Sequence, residues 1–170
     1  MQYTFTYIDE QDKCYGLSGM ALALYAGDSA DMLKEVSLDS DDAQISFTPD
    51  FFFCSNPRYS AKLAWGEMLK QYRMLTHLVA ANVLSRHILL HRRAVTATLL
   101  AEMLSLVEEE GRVHCQLDAD EIEHLFNASC NDMRRLFANP QAATATERLA
   151  SALSERRTLS GSDIADIIER

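Results

Sequence analysis

The hydrophobic pattern opens with an alternation. Tyr3, Phe5 and Tyr7 are separated by Thr4 and Thr6, a period of two that predicts a strand with one aromatic and one hydroxyl face. Asp9-Glu10-Gln11-Asp12 breaks it. Leu17, Met20, Ala21 and Leu24 then recur at i, i+3, i+4 and i+7, the apolar stripe of a short helix over 17–26. Gly27 is expected to stop that helix in a left-handed conformation. Asp28 to Leu33 reads as a loop or as one more helical turn. Glu35 to Leu38 and Gln44 to Phe47 are short β-compatible runs. Asp39-Ser40-Asp41-Asp42 between them is turn chemistry, so the two runs predict a hairpin. Phe51-Phe52-Phe53, bracketed by Pro49 and Pro57, reads as an edge strand or an apolar loop plug.

From Tyr59 onward the pattern is helical. Tyr59 to His91 predicts a long helix, with Gly66 or Gln71 as the candidate break. Ala94 to Glu110 follows, its stripe made by Leu99, Leu100, Met103, Leu104 and Val107, and Gly111 is expected to end it. Asp118 and Glu121 have the spacing of a capping box and open a helix to Phe137, with Glu121 and Glu123 suited to the helix dipole. Pro140 separates this helix from another over 143–155. Ser160 with Asp163 makes a second capping box before Ile164, Ile167 and Ile168. Trp65, Met68, Leu69 and Tyr72 fall at helical spacing and are expected in the core. The fold class expected is mainly α: a helical bundle carrying a small N-terminal β element, one domain over 1–170, with the β-containing part to about residue 56 and the helical part from about residue 57.

Composition narrows the function classes. The chain has 170 residues, 48% hydrophobic and 24% charged, enough to bury a sizeable core and far from disordered usage. A net charge of −9 argues against broad binding to nucleic acid or to an anionic membrane. The one basic stretch is Arg86-His87-Ile88-Leu89-Leu90-His91-Arg92-Arg93. It reads as a helix end with solvated basic ends, or as an anion or acidic-partner patch of Arg86, Arg92 and Arg93. Cys14, Cys54, Cys115 and Cys130 form no C-x-x-C pair and are expected reduced and partly buried, as in a cytoplasm. Met1 to Asp12 has no basic start and no apolar run, so no leader is expected, and no stretch approaches the roughly 20 apolar residues of a membrane span.

Candidate chemistry is sparse. His87 and His91 are four apart, a metal-ligand spacing on one helix face, but zinc needs a further ligand. Ile88 stands where a zinc-peptidase helix would carry its glutamate. His114, Cys115, His124 and Cys130 form a second loose set with no standard ligand spacing. Surface and core roles are the alternative for both groups. Gly16-Leu17-Ser18-Gly19 is not a nucleophile elbow, and six glycines leave no phosphate loop. Asp39 to Asp42 and Glu108 to Glu110 read as solvated turns and helix ends rather than calcium loops. No catalytic constellation and no cofactor is expected.

A family resemblance enters at the C-terminal end. The run from Leu149-Ala150-Ser151 through Glu155, Thr158, Leu159, Gly161 and Ile164 to Ile168 resembles the end of the protease domain of FtsH-type ATP-dependent zinc metalloproteases, typically "LA..LL..ETLDGEEI..I". The helix opening at Asp118 resembles the long helix before it. Leu104 to Gly111 is similar to the family's "A..MV..YG" helix end, and Arg86 to the arginine of its "GRAAE" helix. Upstream, Gly16 to Leu24 is similar to the zinc helix "HEAGHALVA", and Glu35 to Leu38 with Gln44 to Phe47 to the hairpin after it. The pieces occur in the family's order over about residues 14–170.

By that resemblance Gly16, Leu17 and Met20 occupy the places of the family's two zinc-binding histidines and its catalytic glutamate. None can bind zinc well or take a proton. Ala94 to Thr98 holds no carboxylate for the family's third, aspartate ligand. Without a bound metal there is no water with its pKa lowered toward about 7. The resemblance therefore implies a non-catalytic relative, acting as a binding or adaptor module for an unidentified protein partner. The alternatives are a structural subunit of a homo-oligomer, since the family's protease domains assemble into rings, and a metal-dependent enzyme with relocated ligands. No ATPase module or membrane anchor is expected, and a strand over Tyr3 to Tyr7 has no place in the family.

Overall fold

The computed structural model describes residues 5–27, 29–40, 44–49 and 61–170. Tyr3, Thr4, Cys54 and the Phe51–Phe53 run lie outside the described residues, and with them the choice between edge strand and plug.

Helix α1 (Glu10–Ala26) starts well before Leu17. Asp9 is extended and its side chain accepts the Asp12 backbone N–H at 2.8 Å, while Glu10 and Asp12 sit in the first turn, where the helix dipole favours negative charge. The polar run that interrupts the aromatic alternation is thus a helix cap. Phe5 to Tyr7 form no strand, which corrects the expectation of one there. Nor does α1 have a polar face: Gly16 through Leu24 are all buried. It is the central helix, packed against α2 (Ala61–Ser85) and α5 (Pro140–Arg156), and a helix enclosed on all sides needs no amphipathic stripe.

The hairpin forms as expected. Strands β1 (Leu33–Ser37) and β2 (Ile45–Phe47) pair antiparallel, with an irregularity between Leu33 and Glu35. A third strand, β3 (Thr158–Ser160), pairs antiparallel on the other edge of β1 and gives the order β2-β1-β3. Val36 lies opposite Leu159, and both are buried. Three residues between a helix end and a helix cap are too few for any periodicity to register.

Gly27 does not take the left-handed conformation (φ −92°). Arg157 does (φ 67°), as the C-cap of α5. Its guanidinium reaches Asp39 at 2.5 Å and Glu10 at 2.7 Å, tying the end of α5 to the hairpin and to the start of α1. The hydrogen bond from Arg157, with the charges of Arg157 and Lys13, holds the exposed Asp39 carboxyl below its ordinary value.

Helix α2 passes unbroken through Gly66 and Gln71 and then widens into a π-helical turn over Arg86–Leu90. Three helices complete the bundle beside α5: α3 (Ala97–Val113), α4 (Ala119–Ala138) and α6 (Gly161–Glu169). Both capping boxes are present, Asp118 with Glu121 and Ser160 with Asp163. Gly111 lies inside α3 rather than ending it, buried where an added Cβ would meet Tyr72 and Ile122. Pro140 is the first residue of α5, a position where its missing N–H costs nothing. A continuous core joins α1, β1, α2, α3, α4, α5, β3 and α6. Tyr72 is in it, but Trp65 is 48% exposed, in a stretch of α2 (64–71) with no buried residue. Among the described residues no helix is long and apolar enough to cross a membrane.

Candidate functional site

Two polar clusters and one groove stand out, all built on α2. The first cluster lies where α1 crosses α2. The crossing is close because α1 presents glycines there. A Cβ on Gly19 would fall 2.7 Å from the Ala81 carbonyl oxygen and against Ser85, and one on Gly16 would fall 2.9 Å from the Asn82 amide. Asn82 donates to the Tyr7 hydroxyl at 3.0 Å and to the Met20 sulfur at 3.2 Å, and the Ser85 hydroxyl donates to the Tyr15 carbonyl at 2.9 Å.

Asp12 sits at the top of this crossing with a relative exposure of 1%. It accepts from Arg86 Nη1 at 2.8 Å, from the Ile8 N–H at 3.1 Å, and lies 3.1 Å from His91 Nε2. Arg86 also donates to the Thr6 and Asn82 carbonyls, each at 3.1 Å, and covers the Tyr7 ring at 4.9 Å. Burial works against the Asp12 charge, but the Ile8 N–H, Arg86 and His91 outweigh it and hold the carboxyl below its ordinary value. Burial pushes the Tyr7 phenol up.

The π-helical turn builds this cluster. His91 N–H bonds back to the Arg86 carbonyl, five residues earlier, at 2.9 Å, and Arg86 and His91 both reach Asp12. The same widening spoils the i, i+4 reading of the histidines. His87 Nε2 lies 2.7 Å from the Ala94 carbonyl while His91 faces Asp12, so the two rings are not brought together. Arg86 points inward and does not join Arg92 and Arg93, which are exposed.

The second histidine and cysteine set is dispersed as well. Cys115 and Cys130 are buried, with burial pushing the Cys130 thiol up to about 11. His114 and His124 are exposed, and His114 faces Glu110 at 3.8 Å. Cys14, Cys115 and Cys130 are free thiols. Among the described residues no three histidine, cysteine or acidic side chains gather in a way that would hold a metal. Gly16, Leu17 and Met20 are all buried in the core of α1, Gly16 and Met20 against Asn82.

The second cluster has the look of a catalytic triad. His77 Nδ1 lies 3.2 Å from the Ser129 hydroxyl and its Nε2 lies 3.4 Å from Asp132 Oδ2. It is not built to act as one. Nδ1 is also 2.8 Å from the Arg73 carbonyl oxygen, which has no proton to give, so Nδ1 must carry one and has no lone pair for the serine proton. Ser129 is itself buried in the middle of α4. What this set does is tie α2 to α4.

The groove runs beside His77. Its volume is about 580 Å³, inside the roughly 300–1,000 Å³ of ordinary ligand clefts. Ala23, Leu24, Leu69, Met74, Leu78 and Leu125 make its apolar surface, from α1, α2 and α4. Lys70, Arg73 and His77 stand along one side, and Gly66, Gly27 and Ser29 complete the described lining. Lys70 and Arg73 are exposed and have no ion-pair partner among the described residues. Gly66 is exposed in an unbroken helix, and nothing lies within 4 Å of where its Cβ would be. Such a glycine costs the helix about 1 kcal/mol against alanine, and no described neighbour requires it.

Neither a family model, nor a curated protein, nor a solved structure matches the chain. Its functional reading therefore rests on these three features. The groove and the Asp12 cluster were both missed in the sequence. Lys70, Arg73 and His77 at i, i+3 and i+7 were the available signal for the first. Asp12 had none beyond a polar residue just ahead of a buried run.

Proposed function

We propose that the chain is a non-catalytic binding module, a degenerate relative of the FtsH-type protease domain that works by engaging a protein partner. The observation that carries this reading is the fate of α1. The resemblance makes it the zinc helix, and here Gly16, Leu17 and Met20, at the ligand and base positions, are spent on core packing and a close helix crossing. The hairpin after α1 and the succession of helices beyond it are compatible with the element types that the resemblance implies. The triad-like set at His77 offers Ser129 no base nitrogen, since the Nδ1 it meets also faces the Arg73 carbonyl, so hydrolysis gains no support from that side either.

The test is a hydrolysis assay on the purified chain with fluorescein-labelled casein, run with a chelator and with added Zn²⁺, alongside metal analysis of the same sample. No hydrolysis above blank and no stoichiometric zinc are expected in either condition. One zinc per chain, or zinc-dependent cleavage lost in His91→Ala, would replace this reading with that of an enzyme using relocated ligands.

A further inference from the structure

From the groove on α2 we infer that the partner presents an acidic amphipathic helix, seated with its apolar face in the groove and its carboxylates on Lys70 and Arg73. This rests on the binding-module reading above and adds the site and the chemistry of the partner.

Charge makes the first argument. The chain carries 25 acidic residues against 16 Lys and Arg, yet no Asp or Glu is among the described groove-lining residues. A groove whose described lining holds no carboxylate, and whose two cations have no ion-pair partner among the described residues, is complementary to negative charge. Geometry makes the second. Lys70 and Arg73 stand about one turn apart along α2, roughly 5 Å, the spacing of carboxylates at i and i+3 or i+4 on a facing helix. The apolar residues between them offer room for the anchors of such a helix. His77 already faces Asp132, so Lys70 and Arg73 are the two that carry the contact. Gly66 makes the third argument: with open space where its side chain would be, it keeps one end of the groove clear.

The test is a titration of the ¹⁵N-labelled full chain with an acetylated, amidated 15-residue helical peptide bearing Leu at i, i+4, i+7 and i+11 and Glu on both flanks. The same peptide with every Glu replaced by Lys, and sodium decanoate, are titrated separately. Amide shifts are expected around Leu24, Gly66, Lys70, Arg73 and Leu125 with the acidic peptide alone. Lys70→Glu with Arg73→Glu, both at exposed positions, is expected to weaken it at least about tenfold. Gly66→Leu is expected to abolish binding without lowering Tm, since leucine is the better helix former. Equal binding of the Lys peptide, shifts from decanoate but not from the peptide, or full binding by Gly66→Leu overturns the inference. Mass spectrometry of the recovered peptide separates the two levels: cleavage defeats the non-catalytic reading, whereas intact peptide with no shifts defeats only the groove assignment.

Discussion

Arg86→Ala is expected to destabilise the fold by about 3–5 kcal/mol, the usual cost of removing one partner from a buried ion pair. Asp12 is almost fully enclosed and Arg86 is its closest cation, at 2.8 Å. Losing the guanidinium also removes a donor from the Thr6 carbonyl and one of the donors to the Asn82 carbonyl, and uncovers the Tyr7 ring. Urea unfolding followed by circular dichroism measures the loss. The double variant Asp12→Leu with Arg86→Met should recover much of it, because replacing both charges by apolar groups leaves none buried alone.

The pH dependence follows in sign. The Asp12 carboxyl is held below its ordinary value near 3.8. Its contribution to stability is therefore complete above that value and is lost as pH falls through the lower, folded-state value. Asp39, held down by Arg157, and Asp163, held down by Ser160, act in the same direction. The wild-type chain should lose stability steadily on acidification below about pH 4, and the double variant should lose less, since Asp12 no longer contributes. Parallel acid profiles for the two would show that Asp12 is not the buried, paired carboxylate described above.

Leu17→Glu is the second large effect expected, at about 4 kcal/mol or more. Leu17 has 1% exposure in the enclosed part of α1. The substitution removes a packed aliphatic side chain and places a carboxyl where no described cation is paired to receive it. The glutamate would either ionise in a dry core or stay protonated, and both weaken folding. Under the proposed relationship this is the position at which FtsH-type proteases carry the catalytic glutamate, so the variant asks whether α1 has an open face. A cooperative unfolding transition at the wild-type midpoint would mean that it has.

Much of the helical fold is legible in the sequence because its signals are local. Asp118 with Glu121 and Ser160 with Asp163 mark two helix starts, and the stripe around Met103 and Val107 places α3. The failures share a different cause. The start of α1 is hidden because Asp9 to Asp12 resemble a polar break, while their work is to cap a helix whose interior is buried all round. Strand β3 is hidden because it exists only by pairing with β1, more than 100 residues earlier. Gly27 does end α1, though without the left-handed conformation, whereas Gly111 misleads: glycine marks both helix ends and close contacts, and at Gly111 the contact with Tyr72 decides.

The candidate site was less legible than the fold. His87 and His91 share a face only on a regular 3.6-residue helix, and the π-helical turn sends one ring to a carbonyl and the other to Asp12. Arg86 reads as part of a basic patch until the buried carboxylate is seen beneath it. The groove needs α1, α2 and α4 together, and a spacing within α2 alone gives only the line of cations.

The most direct test of the claim that α1 is a structural core helix rather than a vestigial metal helix is native-state amide exchange, measured with and without an equivalent of Zn²⁺. The amides of Gly16 to Leu24 are expected to exchange only through global unfolding, as slowly as any in the chain, with no change on adding zinc. Exchange of α1 through an opening that leaves α4 and α5 folded, or zinc-induced protection centred on Gly16 to Met20, would contradict it.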